Sequence, residues 1–87
     1  MSRILDSIIS QYPDEPLMMA DGFENAVIGV CEDFNNCLRL VYSVSKCIRI
    51  LEDEGLSEID AIEHFTYNVS GGYVGPRTPI WSWDNYN

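Results

Sequence analysis

Only five of the 87 residues are basic, and no two of them adjoin, against fourteen acidic residues that set the formal net charge at −9. Nucleic acid and anionic membranes both repel such a surface, and no stripe of cations tracks a phosphate backbone. Direct nucleic-acid and membrane binding are therefore not expected. Long apolar runs are missing as well. Nothing approaches the ~20 residues a membrane-spanning helix needs, and the opening Met1-Ser2-Arg3-Ile4-Leu5-Asp6 meets an aspartate before the apolar core of a leader can form. The expected location is the cytoplasm. Cysteine is scarce: Cys31, Cys37 and Cys47 are odd in number and contain no C-x-x-C pair. A disulfide framework or a four-ligand zinc site has little support, and the three read as small buried hydrophobes. No metal and no cofactor is expected.

What is present is a globular composition. At 46% hydrophobic and 22% charged, the chain is too apolar for disorder, and its length suits one domain over residues 1–87. Such a small domain hides only roughly 60–65% of its unfolded surface, so its stability margin is thin.

The apolar spacing places the elements. Leu5, Ile8, Ile9 and Tyr12 fall at i, i+3, i+4 and i+7, one helical stripe stopped by Pro13. Leu17–Ala20 reads as a short strand before an Asp21-Gly22 turn. Residues 25–34 and 37–43 read as two strands of a hairpin around Asn35-Asn36, because asparagine tolerates the positive φ that a two-residue turn demands. Counting outward from that turn opposes Glu32 to Arg39, Cys31 to Leu40, Val30 to Val41 and Gly29 to Tyr42. Ser43 or Ser45 caps a first helix with Val44, Cys47, Ile48 and Leu51 on its apolar stripe, and Gly55 closes it. Ser57-Glu58-Ile59-Asp60 opens a second, with Ile62, Phe65 and Val69 on its buried face and Gly71-Gly72 at its end. Only a short turn separates the two helices, which are expected to pack as an antiparallel pair. Thr78–Trp83, with an internal proline, reads as an edge strand. The expected fold is α+β: an antiparallel sheet of about four strands with helices packed on one face, in the order α-β-β-β-α-α-β.

The string from Phe65 through Gly75, continuing at Thr78-Pro79-Ile80-Trp81, together with the Asp21–Gly29 opening and the Val41-Tyr42 dipeptide, resembles a group of small phage-type hypothetical proteins from marine and environmental sequence. The likeness covers roughly residues 15–81. It implies a viral or metagenomic source, with host cytoplasm as the setting, and carries no activity or functional residues with it.

Three constellations are candidates for function. Asp60, His64 and Asn68 fall at i, i+4 and i+8 and share a helix face, a carboxylate beside the lone imidazole. Cys47 is the nucleophile such a pair would need in a small enzyme or ligand-binding domain, yet the same spacing is what a plain solvated helix face shows. Gly71-Gly72-x-x-Gly75 follows a helix instead of opening one, so it does not form a phosphate loop. Second, Glu52, Asp53, Glu54, Glu58, Asp60 and Glu63 crowd the turn between the two helices. The one-three-five spacing of a calcium loop is missing. Read as a nucleic-acid mimic, the patch would make the protein an acidic inhibitor of a host nucleic-acid-binding protein, although duplex DNA, at one charge per ~1.7 Å, is denser in charge. Third, Tyr73, Trp81, Trp83 and Tyr86 gather near the C-terminus, where some rings must cover the core and others suit a protein–protein contact. The favoured reading is a non-catalytic, acidic accessory protein that works through protein contacts, with a homodimer through the C-terminal edge.

Overall fold

The computed structural model describes residues 2–72 and 74–84. The first helix, α1 (Arg3–Gln11), starts at Ser2, whose hydroxyl accepts the Leu5 N–H at 3.1 Å. Leu5 and Ile8 are buried and Tyr12 packs partly against the core, while Ile9, the fourth residue of the expected stripe, is exposed.

Leu17–Ala20 is not a strand. The run is confined between Pro16, which has no N–H to give, and the turn at Asp21-Gly22, where Gly22 has φ +90°. It docks on the core through a side chain instead of a ladder: the Ala20 N–H donates to the Tyr42 hydroxyl at 2.8 Å. A single helical turn, Glu24–Ala26, then buries Ala26 beside Phe23.

The hairpin forms, but its turn and register differ from those expected. Strands β1 (Val27–Glu32) and β2 (Leu38–Ser43) are antiparallel, with Glu32 opposite Leu38, Cys31 opposite Arg39, Val30 opposite Leu40 and Gly29 opposite Val41. Every predicted pair is shifted by one residue. Asp33 is the cause. Its carboxylate accepts the N–H groups of Asn35 and Cys37 at 2.8 and 3.0 Å, and its carbonyl accepts the Asn36 N–H at 3.0 Å. The connection is thus a three-residue loop, Phe34-Asn35-Asn36, in which only Asn36 takes a left-handed conformation, φ 61°. Between Val27 and Gly29 the ladder steps by one residue, which sets Val27 opposite Tyr42. Without that step Val27 and Val30, three apart, would face opposite sides. With it both join Leu40 and Tyr42 against the core.

Chain reversal into α2 (Val44–Asp53) is capped by Ser43, whose Oγ accepts the Lys46 N–H at 3.2 Å. Val44, Cys47, Ile48 and Leu51 are all buried, as their spacing predicts. Gly55 at φ +109° ends the helix, with the Leu56 N–H reaching back to the Leu51 carbonyl at 3.3 Å and the Gly55 N–H to that of Glu52 at 2.9 Å. Ser57 caps α3 (Glu58–Asn68) by accepting the Asp60 N–H, and α3 packs on α2. Ala61 and Phe65 are buried, whereas Ile62, expected on the same face, is 37% exposed.

The last strand, β3 (Ile80–Ser82), is shorter than Thr78–Trp83 and pairs with β2 in parallel, not antiparallel. The direction follows from the route: the chain leaves the top of β2, passes through both helices and returns beside Val41, a crossover of the kind that makes a parallel pair. Pro79 lacks the N–H a longer strand needs, and Thr78 is engaged in a local turn, donating from Oγ1 to the Gly75 carbonyl and accepting the Val74 N–H. Among the described residues the sheet has three strands in the order β1-β2-β3, mixed in sense, so β3 is an edge as expected. All three helices contribute buried residues to the single cluster that includes Leu40 and Tyr42.

Candidate functional site

Both tryptophans of the C-terminal segment meet rings of the core, Trp81 more fully than Trp83. Trp81 stacks obliquely on Tyr42 at 5.1 Å between ring centres and meets Phe65 edge-on at 5.3 Å. Trp83 meets the same Phe65 ring at 5.8 Å and keeps 43% of its surface exposed. The two tryptophans do share one side, but that side is the one facing the core. Tyr73 and Tyr86 lie outside the described residues. An open groove of about 560 Å³ borders Trp81, lined also by Met18, Met19, Phe23, Val69 and Pro79, and the buried Trp81 Nε1 has no hydrogen-bond partner among the described residues.

Asp84 fastens this segment to the start of α2. It accepts the Ser43 hydroxyl and the Ser45 N–H, so the buried Ser43 serves both the helix cap and the chain end. Partial desolvation pushes the Asp84 carboxyl up, but the bonds from Ser43 and Ser45 together outweigh it and hold it below its ordinary 3.8. A lowered carboxyl stabilises the fold above the unfolded-state value and loses that contribution as pH falls through the folded value. Asp33 is lowered as well, chiefly by the Cys37 N–H. Acid unfolding is thus expected to show an added loss of stability below about pH 3.8, smaller in Asp84→Asn, by urea titration across pH. Ser43→Ala is expected to cost about 2 kcal/mol at neutral pH, because it removes the helix cap and the bond to the Asp84 carboxylate together.

Asp60, His64 and Asn68 are all exposed on α3. The Asn68 Nδ2 and His64 Nδ1 lie 3.5 Å apart, a marginal contact, and no hydrogen bond joins Asp60 to His64 among the described residues. Cys47 belongs to the core, and burial, reinforced by the Asp84 carboxylate, pushes its thiol up to about 12. It is a neutral thiol at physiological pH, without the thiolate a nucleophile needs. Iodoacetamide should label Cys31, which is exposed, and more slowly the half-buried Cys37, while Cys47 reacts only after denaturation; mass spectrometry of the labelled peptides reads this directly. The described residues include no group of three or more His, Cys, Asp or Glu side chains placed to hold a metal.

A further surface emerges on α3. Ile59 is 70% exposed, and Ile62, one turn on, is its neighbour on the helix surface. Leu56, just before the cap, is also exposed. The arrangement is visible in the sequence once the helix is drawn in projection. Ala61, Phe65 and Val69 fill one stripe; Ile62 lies at its margin and Ile59 beyond it, so a single core-facing stripe cannot take them all. Glu58 and Glu63 adjoin this outer edge at i, i+4 spacing from Ile62 and Ile59, and Glu52, Asp53, Glu54 and Asp60 are exposed as well.

No family model, curated protein or solved structure matches the chain.

Proposed function

We propose that this is a non-catalytic accessory protein that acts by holding a protein partner, and that the partner lies on the outer edge of α3, over Leu56, Ile59 and Ile62. The observation that carries the reading is Ile59: a large aliphatic side chain, mostly in water, adjoining a second partly exposed isoleucine on a regular helix. Scattered exposed apolar residues need no explanation, but adjacent ones on a rigid element form the kind of anchor that interfaces use. The exposure of Asp60, His64 and Asn68 on α3, in contrast to the buried Cys47, and the neutral state of the Cys47 thiol favour contact over catalysis. The resemblance to phage-type proteins makes host cytoplasm the proposed setting. No helix among the described residues is long and apolar enough to cross a membrane.

A photo-crosslinking residue placed at Leu56 should trap a partner that the same group at Arg3, on α1, does not. Ile59→Asp should abolish the crosslink while the circular dichroism spectrum is retained. Crosslinks of equal yield from both positions would remove the proposal.

Self-association through the C-terminal edge is the second reading. It is favoured by the position of β3, whose outer side pairs with no strand among the described residues, and by the partly exposed Trp83. Sedimentation equilibrium at high micromolar concentration tests it: a dimer that Trp83→Ser weakens supports it, and a strict monomer excludes it.

A further inference from the structure

The charge around the α3 edge narrows the class of partner. Residues 50–76 hold six carboxylates and no lysine or arginine. The six carboxylates are exposed, and two of them adjoin the aliphatic edge on α3 itself: Glu58 lies four residues before Ile62 and Glu63 four residues after Ile59, each one helical turn away. Of the chain's five cations, Arg77 is engaged by Glu15 at 3.0 Å, Arg39 donates to the Thr78 carbonyl at 2.7 Å, and Arg3 lies on α1. Lys46 and Arg49 lie on α2, N-terminal to the acidic run.

We propose that the Leu56–Ile59–Ile62 edge binds a cationic amphipathic helix, one whose apolar face presents large aliphatic side chains and whose flanks carry lysine or arginine. This rests on the reading of the α3 edge as a partner surface and adds the partner's chemistry. The aliphatic edge supplies the contact that becomes water-free on binding. Glu58 and Glu63 border it, so each can meet a cation at the rim while both groups keep part of their hydration, and the remaining carboxylates of residues 50–76 add to the negative field around it. An acidic or neutral apolar helix would leave Glu58 and Glu63 unbalanced at the contact. Rim pairing of this sort speeds association and is weakened by salt, whereas the apolar anchor governs how long the complex lasts. Helix α3, eleven residues long, spans roughly 16 Å, which three turns of a partner helix cover.

The test uses a synthetic leucine–lysine peptide of about fourteen residues, enough for roughly four helical turns, titrated into the isotopically labelled full chain and followed by amide chemical shifts. A leucine–glutamate peptide of the same pattern and a lysine-only peptide serve as comparators. The leucine–lysine peptide should shift the amides of Leu56, Ile59, Ile62 and Glu63 first. Ile59→Ser should weaken it about tenfold, the expected loss for one large aliphatic anchor. Glu58→Gln with Glu63→Gln should weaken it less and flatten its salt dependence. The lysine-only peptide should bind weakly and without preference for α3. If the leucine–glutamate peptide binds the same edge equally well, the cationic partner is wrong and the partner surface stands. If no peptide shifts the edge, both are wrong. Shifts that follow every acidic residue alike and ignore Ile59→Ser would also overturn the proposal, pointing to a charge mimic instead.

Discussion

Phe65→Ala is expected to cost about 3–5 kcal/mol, the range for truncating a buried aromatic ring. A chain of this length holds roughly 4–13 kcal/mol of folding free energy in total, taking about 0.05–0.15 kcal/mol per residue. The loss therefore takes about a quarter to all of the folding free energy, and the variant should be largely unfolded when the wild-type total lies at the bottom of that range, where the loss equals or exceeds it. The effect is large because Phe65 is fully buried and is the ring at which three others meet: Phe23 at 6.5 Å, Trp81 at 5.3 Å and Trp83 at 5.8 Å, all edge-on. Its removal opens a void shared by α3, β3 and the segment before β1, none of which can close on it without moving the other two. Guanidinium denaturation of the variant checks the loss. Phe65→Leu, which keeps most of the apolar contact, should recover much of it; equal losses would mean that edge-to-face geometry, and not filled volume, dominates.

Tyr42→Phe is expected to cost about 2 kcal/mol, although the substitution removes one oxygen and leaves the ring in place. The hydroxyl is the acceptor for the Ala20 N–H, and a bare phenyl ring would leave that donor without its partner in a half-buried position. Burial raises the Tyr42 phenol above its ordinary 10.0, with the bond from Ala20 working in the opposite direction, so the group stays neutral throughout the range in which the protein would be handled. The consequence should be local as well as global. Amide exchange in the Met18–Asp21 run, which has no ladder to hold it, should accelerate more than exchange in β2. Uniform acceleration would indicate that the run is secured by its side-chain packing and not by this bond.

Much of the architecture was legible because it rests on local chemistry. The Ser57 cap, the Gly55 stop and the Val44–Cys47–Ile48–Leu51 stripe each depend on residues within a few positions of one another, and the structure places them as the spacing predicts. The departures arise where two local signals compete or where a distant contact decides. Asn35-Asn36 satisfies a two-residue turn, but the Asp33 carboxylate just before it gathers two N–H groups and lengthens the loop, and the whole ladder shifts with it. Leu17–Ala20 has the composition of a strand, yet its fate is set by a hydroxyl 22 positions away. The sense of β3 depends on how α2 and α3 return the chain, which no single segment records. At the candidate site the aromatic cluster near the C-terminus drew attention through ring chemistry, and Trp81 proved to be needed inside. The α3 edge is less legible because Ile62 falls at the margin of the Ala61–Phe65–Val69 stripe, where spacing alone assigns it to the buried face, and Ile59 stands within the capping segment.

The most direct test of that edge is the stability of Ile59→Ser. If Ile59 serves a partner and not the fold, its replacement should leave the free energy of unfolding within about 0.5 kcal/mol of wild type, as for an ordinary surface site. A loss of about 2 kcal/mol or more, the signature of a buried aliphatic side chain, would return Ile59 to the core and contradict the account.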